Sequence, residues 1–221
     1  MKKVLFGIAG KANSGKDTVA RIINDKLRTS QFNNGTIIHF ADNLKGILSM
    51  LYGLPIEAFY SSNKDNTFID LKTNKIIHND ELKNYHEIKV KGLYSLNPYT
   101  DSPLNWRISI RKLMQFFGTD VCRTYLGENI WVNSTINTAL KSIEENKYCI
   151  IADVRFANEA KAIKDIPYGV TIEVVRDTEL NYSHPSENID FDCDYVIENN
   201  GSYGELESKV ETLLKEIYAK S

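Results

Sequence analysis

The chain's 221 residues are enough for one large α/β domain or a core with a small insert. With 42% hydrophobic and 25% charged residues and a formal charge of -2, it reads as an ordinary soluble globular protein. It lacks the basic excess that a nucleic-acid polymer would call for, so any nucleotide ligand is expected to be small. Cys122, Cys149 and Cys193 are odd in number and form no C-x-x-C pair. That argues against a disulfide framework or a zinc site and fits a reducing, cytoplasmic setting. The apolar run near the N-terminus reaches Gly10-Lys11 too soon for a signal peptide or a membrane span, so no membrane partner is expected.

In chain order, apolar runs rich in β-branched residues predict buried strands at Val4–Ala9, Thr36–Phe40, Tyr148–Ala152, Val170–Val175 and Asp194–Glu198. Helical patterns separate them, so the sheet is expected to be mostly parallel with roughly five strands. The first helix is expected over Gly15–Arg28, with Val19, Ile22, Ile23 and Leu27 on one face. A second covers Asp42–Tyr52, a third Trp106–Gly118, a fourth Ile130–Glu145 and a short one Asn158–Asp165. The last begins near Tyr203 and buries Leu206, Val210, Leu213, Leu214 and Ile217. Residues 55–105 are polar, carry Pro55, Pro98 and Pro103, and read as an insertion with short hairpin strands at Ile76-Ile77 and Glu87–Val90. Asp177–Asp192 is too long and polar for a simple connection.

The most informative segment is Gly10-Lys11-Ala12-Asn13-Ser14-Gly15-Lys16-Asp17-Thr18. It lies between a predicted strand and a predicted helix, the context of a phosphate-binding P-loop. Its N–H groups and the helix N-terminus would cage phosphate oxygens, and Lys16 would reach the β- and γ-phosphates of a triphosphate. Asp17 stands where Ser or Thr is expected. Its carboxylate either binds Mg²⁺, directly or through water, orients a phosphate acceptor, or complements the helix dipole, and Thr18 still offers a hydroxyl.

Four further segments carry chemistry. Arg107, Arg111 and Gln115 recur every four residues, which on one helix would place them on a single face. Gly118-Thr119-Asp120 is expected to end that helix, with Arg123 following, and arginines presented together suit a phosphate dianion. Asp153 and Arg155 lie at the C-terminal end of a predicted parallel strand, where α/β ligands bind. The acid suits Mg²⁺ and the arginine a phosphate; the plainer alternative is a helix-capping acid beside a surface arginine. Arg176 opens the long polar stretch containing His184-Pro185-Ser186-Glu187, the place for a lid. Asn199-Asn200-Gly201-Ser202 follows the last strand; Ser202 and Glu205 form a capping box, and the loop lies where it could touch a base.

In this order the segments resemble the deoxynucleoside monophosphate kinases of tailed bacteriophages. The matching residues are Ser14-Gly15-Lys16-Asp17-Thr18, Arg111–Gln115 with Gly118-Thr119-Asp120, Trp131-Val132, Asp153 with Arg155, Val174-Val175-Arg176, His184 with Glu187, and Val196-Ile197 through Asn199 with Gly201-Ser202. The resemblance implies a three-layer α/β/α P-loop NTPase fold of the nucleoside monophosphate kinase kind, with a core at 1–40, 131–175 and 193–221, a monophosphate-binding region at 41–130 and a lid at 176–192. It implies ATP as donor, Mg²⁺ as cofactor, small nucleotide substrates and a homodimer. Lys16, Asp17, Arg155 and Arg176 become the catalytic candidates. Ala12 through Thr18, Arg176 and Gly201 would hold ATP. Asp42, Lys45, Arg111, Gln115, Thr119, Arg123, Trp131, Asp153, Arg155 and Glu187 would hold the monophosphate, and Asp17, Thr18 and Asp153 are the metal candidates. Two alternatives keep the P-loop: a kinase of the same fold acting on dephospho-coenzyme A or phosphomevalonate, and a nucleotide-binding regulator without chemistry. A GTPase-like switch needs an N-K-x-D motif, and Asn63-Lys64-Asp65-Asn66 misses that spacing.

Overall fold

The run Val4–Ala9 contains no polar side chain, and every residue in it is buried, as a strand covered on both faces requires. The computed structural model describes residues 3–11, 13–28, 35–77, 81, 85–87, 105–177 and 189–220. In chain order its elements are β1 (Val4–Ala9), α1 (Lys16–Leu27), β2 (Thr36–Ile38), α2 (Asp42–Tyr52), α3 (Glu57–Tyr60), β3 (Phe68–Asp70), β4 (Ile76–Ile77), β5 (Tyr85–Glu87) and β6 (Asn105–Ser109). There follow α4 (Ile110–Gln115), a π-helical stretch (Phe116–Arg123), α5 (Thr124–Leu126), α6 (Ile130–Asn146), β7 (Tyr148–Val154), α7 (Ala157–Lys164), β8 (Gly169–Val175), β9 (Tyr195–Glu198) and α8 (Tyr203–Lys220). The chain divides into two compact units, Met1–Phe40 with Val132–Ser221, and Ala41–Trp131.

The first unit holds a five-stranded sheet in the order β2-β7-β1-β8-β9, parallel at every pairing. Alternation along the strands sorts their side chains onto two faces. Val4, Phe6 and Ile8, with Tyr148, Ile150 and Ala152, pack on Val19, Ile22, Ile23 and Leu27 of α1 and on Leu206, Val210, Leu213, Leu214 and Ile217 of α8. Leu5, Ala9, Cys149, Ile151 and Val154 face the other way, against Val132, Ala139 and Ile143 of α6 and Ala160 and Ile163 of α7. Each fully buried aliphatic side chain contributes roughly 1.5–3 kcal/mol of transfer free energy, so these two apolar layers hold the sheet between its helices. Strands and helices of this unit lie within a few residues of their expected ranges. The result is the three-layer α/β/α architecture.

The second unit carries a small sheet ordered β4-β3-β6-β5 and a core of Leu44, Leu48, Phe59, Ile69, Ile108, Ile110, Leu113, Cys122 and Trp131. Ile76-Ile77 is a hairpin strand, pairing antiparallel with Phe68-Ile69, while of the expected run Glu87–Val90 only Glu87 is described, in β5, and residues 88–90 lie outside the described residues. Two expectations are corrected here. Residues 106–109 are strand, and the helix begins only at Ile110: β6 needs Ile108 in the core, and Ser109 turns the chain by accepting the Lys112 N–H at 3.3 Å as an N-cap. Arg107, on β6, therefore lies off the helix that carries Arg111 and Gln115, and its guanidinium stacks on the Phe68 ring at 4.3 Å.

Nor does Gly118 end the helix. The turn widens into the π-helical stretch, and the chain stays helical to Leu126 before Gly127, at φ 120°. Widening to i→i+5 bonding loosens the backbone ladder. The Gly118 carbonyl takes the Trp131 indole N–H at 2.9 Å, and a Cβ at Gly118 would crowd Leu44 Cδ2 at 2.8 Å.

Candidate functional site

In an open parallel sheet, ligands bind beyond the C-terminal strand ends where the strand order reverses. Here that point lies at β1 and β7, because the chain passes from β1 outward to β2 and from β7 across to β8. The loop after β1 and the acid near the end of β7 both arise there.

Three residues of that loop have positive φ: Gly10 at 152°, Asn13 at 61° and Gly15 at 100°. A Cβ on Gly10 would sit 2.6 Å from the Val174 carbonyl of β8, so only glycine lets the loop lie against that strand. A Cβ on Gly15 would run into Asn199 Nδ2. Asn199, just past β9 and buried, donates from Nδ2 to the Ser14 carbonyl at 2.8 Å and braces the loop from the other side. Ser14 itself is buried, and its hydroxyl makes no hydrogen bond among the described residues. Lys16 Nζ folds back to donate to the Lys11 carbonyl at 2.8 Å. Within the loop the Ser14 N–H is donated to the Lys11 carbonyl at 3.2 Å, and α1 starts directly behind it; a glycine-bounded turn at a helix N-terminus is a setting that suits an anion.

Asp17 is exposed in the first turn of α1, its Oδ1 3.9 Å from His39 Nε2. Thr18 is half-buried beside it. Asp153 is half-buried, and its Oδ1 accepts the Phe40 N–H at 2.9 Å. His39 and Phe40, directly after β2, thus approach both acids from one backbone turn. The half-buried Arg155 follows, its N–H donated at 2.8 Å to the buried Glu159, which also accepts the Phe156 N–H at 3.2 Å. Arg176 is exposed just beyond β8, and Gly201 lies in the turn closed by Ser202 and Glu205, each donating its N–H to the other's side chain. Ala12, His184, Glu187 and most of the expected lid, 178–188, lie outside the described residues.

Of the residues expected at the monophosphate, Asp42 and Lys45 sit in the first turn of α2, 3.3 Å apart, with the Lys45 ammonium 3.8 Å from the Tyr60 ring centre and the Tyr60 hydroxyl donating to Asp42 at 2.6 Å. Arg111 is exposed and pairs with Asp65 at 2.6 Å. Gln115 and Thr119 are exposed, Arg123 is half-buried, and Trp131 is buried, its indole N–H on Gly118. Sequence reasoning passed over His39, Tyr60, Glu159 and Lys64. Glu159 alone carried a local signal, an acid in the first turn of a predicted helix.

Fold and sheet edge together define a three-layer α/β/α protein with a glycine-bounded loop at its switch point. The family described as deoxynucleotide monophosphate kinase matches residues 51–210, so the chain belongs to that family and is a phosphotransferase acting on small nucleotide substrates. The match begins after the glycine-bounded loop. The deoxynucleoside-5'-monophosphate kinase of Escherichia phage T5 is 24% identical over 220 residues, covering 83% of this chain and 84% of that protein. The crystal structure of TT1252 from Thermus thermophilus aligns over 98% of both chains at 16% identity with a TM-score of 0.48. Among the described residues, no helix is long and apolar enough to cross a membrane.

Proposed function

We propose that the protein transfers the γ-phosphoryl group of ATP to a deoxynucleoside monophosphate, giving a deoxynucleoside diphosphate and ADP. The observation that carries this reading is the positive-φ, glycine-bounded loop after β1, at the switch point of the sheet with Lys16 at its exit. Its positive-φ residues and the Asn199 bond to the Ser14 carbonyl fix the backbone on both sides of the loop, and preorganised N–H donors cost no rearrangement when phosphate charge arrives.

In this reading Ala12 through Thr18 cradle the triphosphate, Lys16 leaves the Lys11 carbonyl for the phosphates, and Gly201 borders the base. Arg155 and Arg176 meet the transferring group. The unit 41–131 binds the acceptor through Lys45 and Arg111, with Asp42, Gln115, Thr119, Arg123 and Trp131 shaping its surroundings. The segment 176–192, with Glu187, is the lid. The donor set fits Mg²⁺. No group of three or more His, Cys, Asp or Glu side chains forms a metal cage among the described residues, and Mg²⁺ needs only one or two carboxylates beside phosphate oxygens and waters. Asp17, Asp153 and the Thr18 hydroxyl would hold it, and when bound it neutralises phosphate charge. Phosphoryl transfer asks the chain mainly for position and charge, and these residues supply both. The free thiols of Cys122, Cys149 and Cys193 fit a cytoplasmic setting.

The test is coupled ADP release with dGMP, dTMP, dCMP, dAMP and the ribonucleotides, for the parent and for Lys16→Ala. At least one dNMP is expected to be a substrate, and the variant should lose about 100-fold or more in kcat while keeping the parent's unfolding midpoint. A folded Lys16→Ala protein working at the parent rate would refute the mechanism.

A further inference from the structure

The unit Ala41–Trp131 carries Lys45 on α2, Lys64 in the turn before β3 and Arg111 on α4; the Arg111 N–H bonds the Lys64 carbonyl at 3.2 Å, and the charges of both Lys45 and Arg111 act on Lys64. Two have acidic partners. Lys45 faces Asp42, and Arg111 pairs with Asp65, so each couple is electrically neutral. Lys64 is the odd charge. Among the described residues, no carboxylate lies within ion-pair distance of its ammonium, and the side chain is half-buried. Burial first, then the charges of Lys45 and Arg111, hold its pKa below the ordinary lysine value, partly offset by Asp65.

The turn that carries Lys64 is fixed. Its carbonyl accepts the Arg111 N–H at 3.2 Å, and the Thr67 carbonyl accepts the Ile110 N–H at 2.9 Å, so the turn caps the start of α4. Thr67 Oγ1 donates to the Asn63 carbonyl at 2.9 Å and closes the turn from within. A cation on a rigid turn, near two others and without an ion-pair partner among the described residues, gains from an anion that meets all three.

We propose that Lys64 is the third cation of the monophosphate subsite, and that Lys45, Lys64 and Arg111 together bind the phosphate dianion of the acceptor. This rests on the reading of the chain as a deoxynucleoside monophosphate kinase. The exposed Arg111–Asp65 pair is worth at most about 1 kcal/mol, so a dianion able to take two guanidinium N–H groups displaces Asp65. Lys45 is already oriented by Asp42 and the Tyr60 ring. Among the described residues the Lys45–Asp42 and Arg111–Asp65 pairs cancel, so it is Lys64 that makes the subsite attract phosphate.

The test is calorimetric titration of the full-length parent, Lys64→Met and Lys64→Arg with each dNMP and with the matching deoxynucleoside, alongside steady-state transfer. Lys64→Met should weaken monophosphate binding and raise its KM roughly 10- to 100-fold, with deoxynucleoside binding unchanged. Lys64→Arg should recover most of the loss. A folding defect would weaken both ligands together, so only a selective loss supports the subsite. Equal loss of both, unchanged monophosphate binding in Lys64→Met, or a parent that binds monophosphate no better than nucleoside would each overturn it. A parent that binds monophosphate through Lys64 but transfers to no dNMP would leave the subsite standing and refute the kinase reading instead.

Discussion

Replacing Gly15 with alanine perturbs the loop after β1 at its tightest point. At φ 100° a residue with a Cβ is strained by about 1–3 kcal/mol. The same Cβ would enter the space of Asn199 Nδ2 and break the 2.8 Å bond to the Ser14 carbonyl, costing about 0.5–1.5 kcal/mol more. Gly15→Ala should therefore lose about 2–4 kcal/mol of the roughly 5–15 kcal/mol that a domain holds. Asn199→Ala removes only the hydrogen bond. In the double variant that bond can be lost only once, so its destabilisation should fall short of the sum of the singles by about 1 kcal/mol. Urea unfolding of the four proteins at 25 °C measures the cycle. Additivity within about 0.3–0.5 kcal/mol would show that Asn199 does not brace this loop.

Trp131→Phe leaves the Gly118 carbonyl without its indole N–H in a buried place. A loss of about 1–3 kcal/mol is expected, with faster amide exchange across 116–123, and an unchanged urea midpoint would contradict the role given to that bond. Asp194 bears on pH. Burial raises its pKa, but the Thr171 N–H and hydroxyl bonds and the Lys164 charge outweigh this, so its folded value lies below the ordinary carboxylate value. A depressed folded pKa adds stability that is full above about pH 4 and is lost as pH falls through the folded value. Asp194→Asn should thus be less stable than the parent at pH 7, the gap narrowing toward pH 3; a constant gap in urea midpoints across that range would refute the assignment.

The first unit was legible because its strands are apolar on both faces and its helices carry one apolar stripe, patterns that survive in any tertiary setting. The stretch 106–123 was not. Four-residue spacing of Arg107, Arg111 and Gln115 mimics a helical face, but Ile108 is drawn into a second core and Ser109 caps a helix that starts late. Gly118 read as a helix end because glycine usually serves there, whereas its lack of a side chain makes room for Leu44. In the candidate site, Lys16, Asp17 and Asp153 could be proposed from sequence because a loop between strand and helix, or a strand end, fixes their place locally. Lys64 and Tyr60 sit in a polar segment with no period, and only the tertiary fold brings them beside Lys45 and Arg111. His39 gains its meaning from Asp17 across the sheet edge, a relation no local pattern encodes.

The sheet order also governs assembly on the ribosome. β1 lies between β7 and β8, with Val4 opposite Tyr148 and Leu5 opposite Gly169. A nascent chain therefore makes its most apolar strand first and must wait, at about 5–20 residues per second, on the order of ten seconds before a partner strand is made. The face that α1 presents is closed only when α8 arrives at the other end of the chain. The unit Ala41–Trp131, being continuous, has all its core residues in hand well before then. The middle of this protein can fold first, and the exposed Val4–Ala9 strand is the segment that a holding chaperone would have most reason to cover.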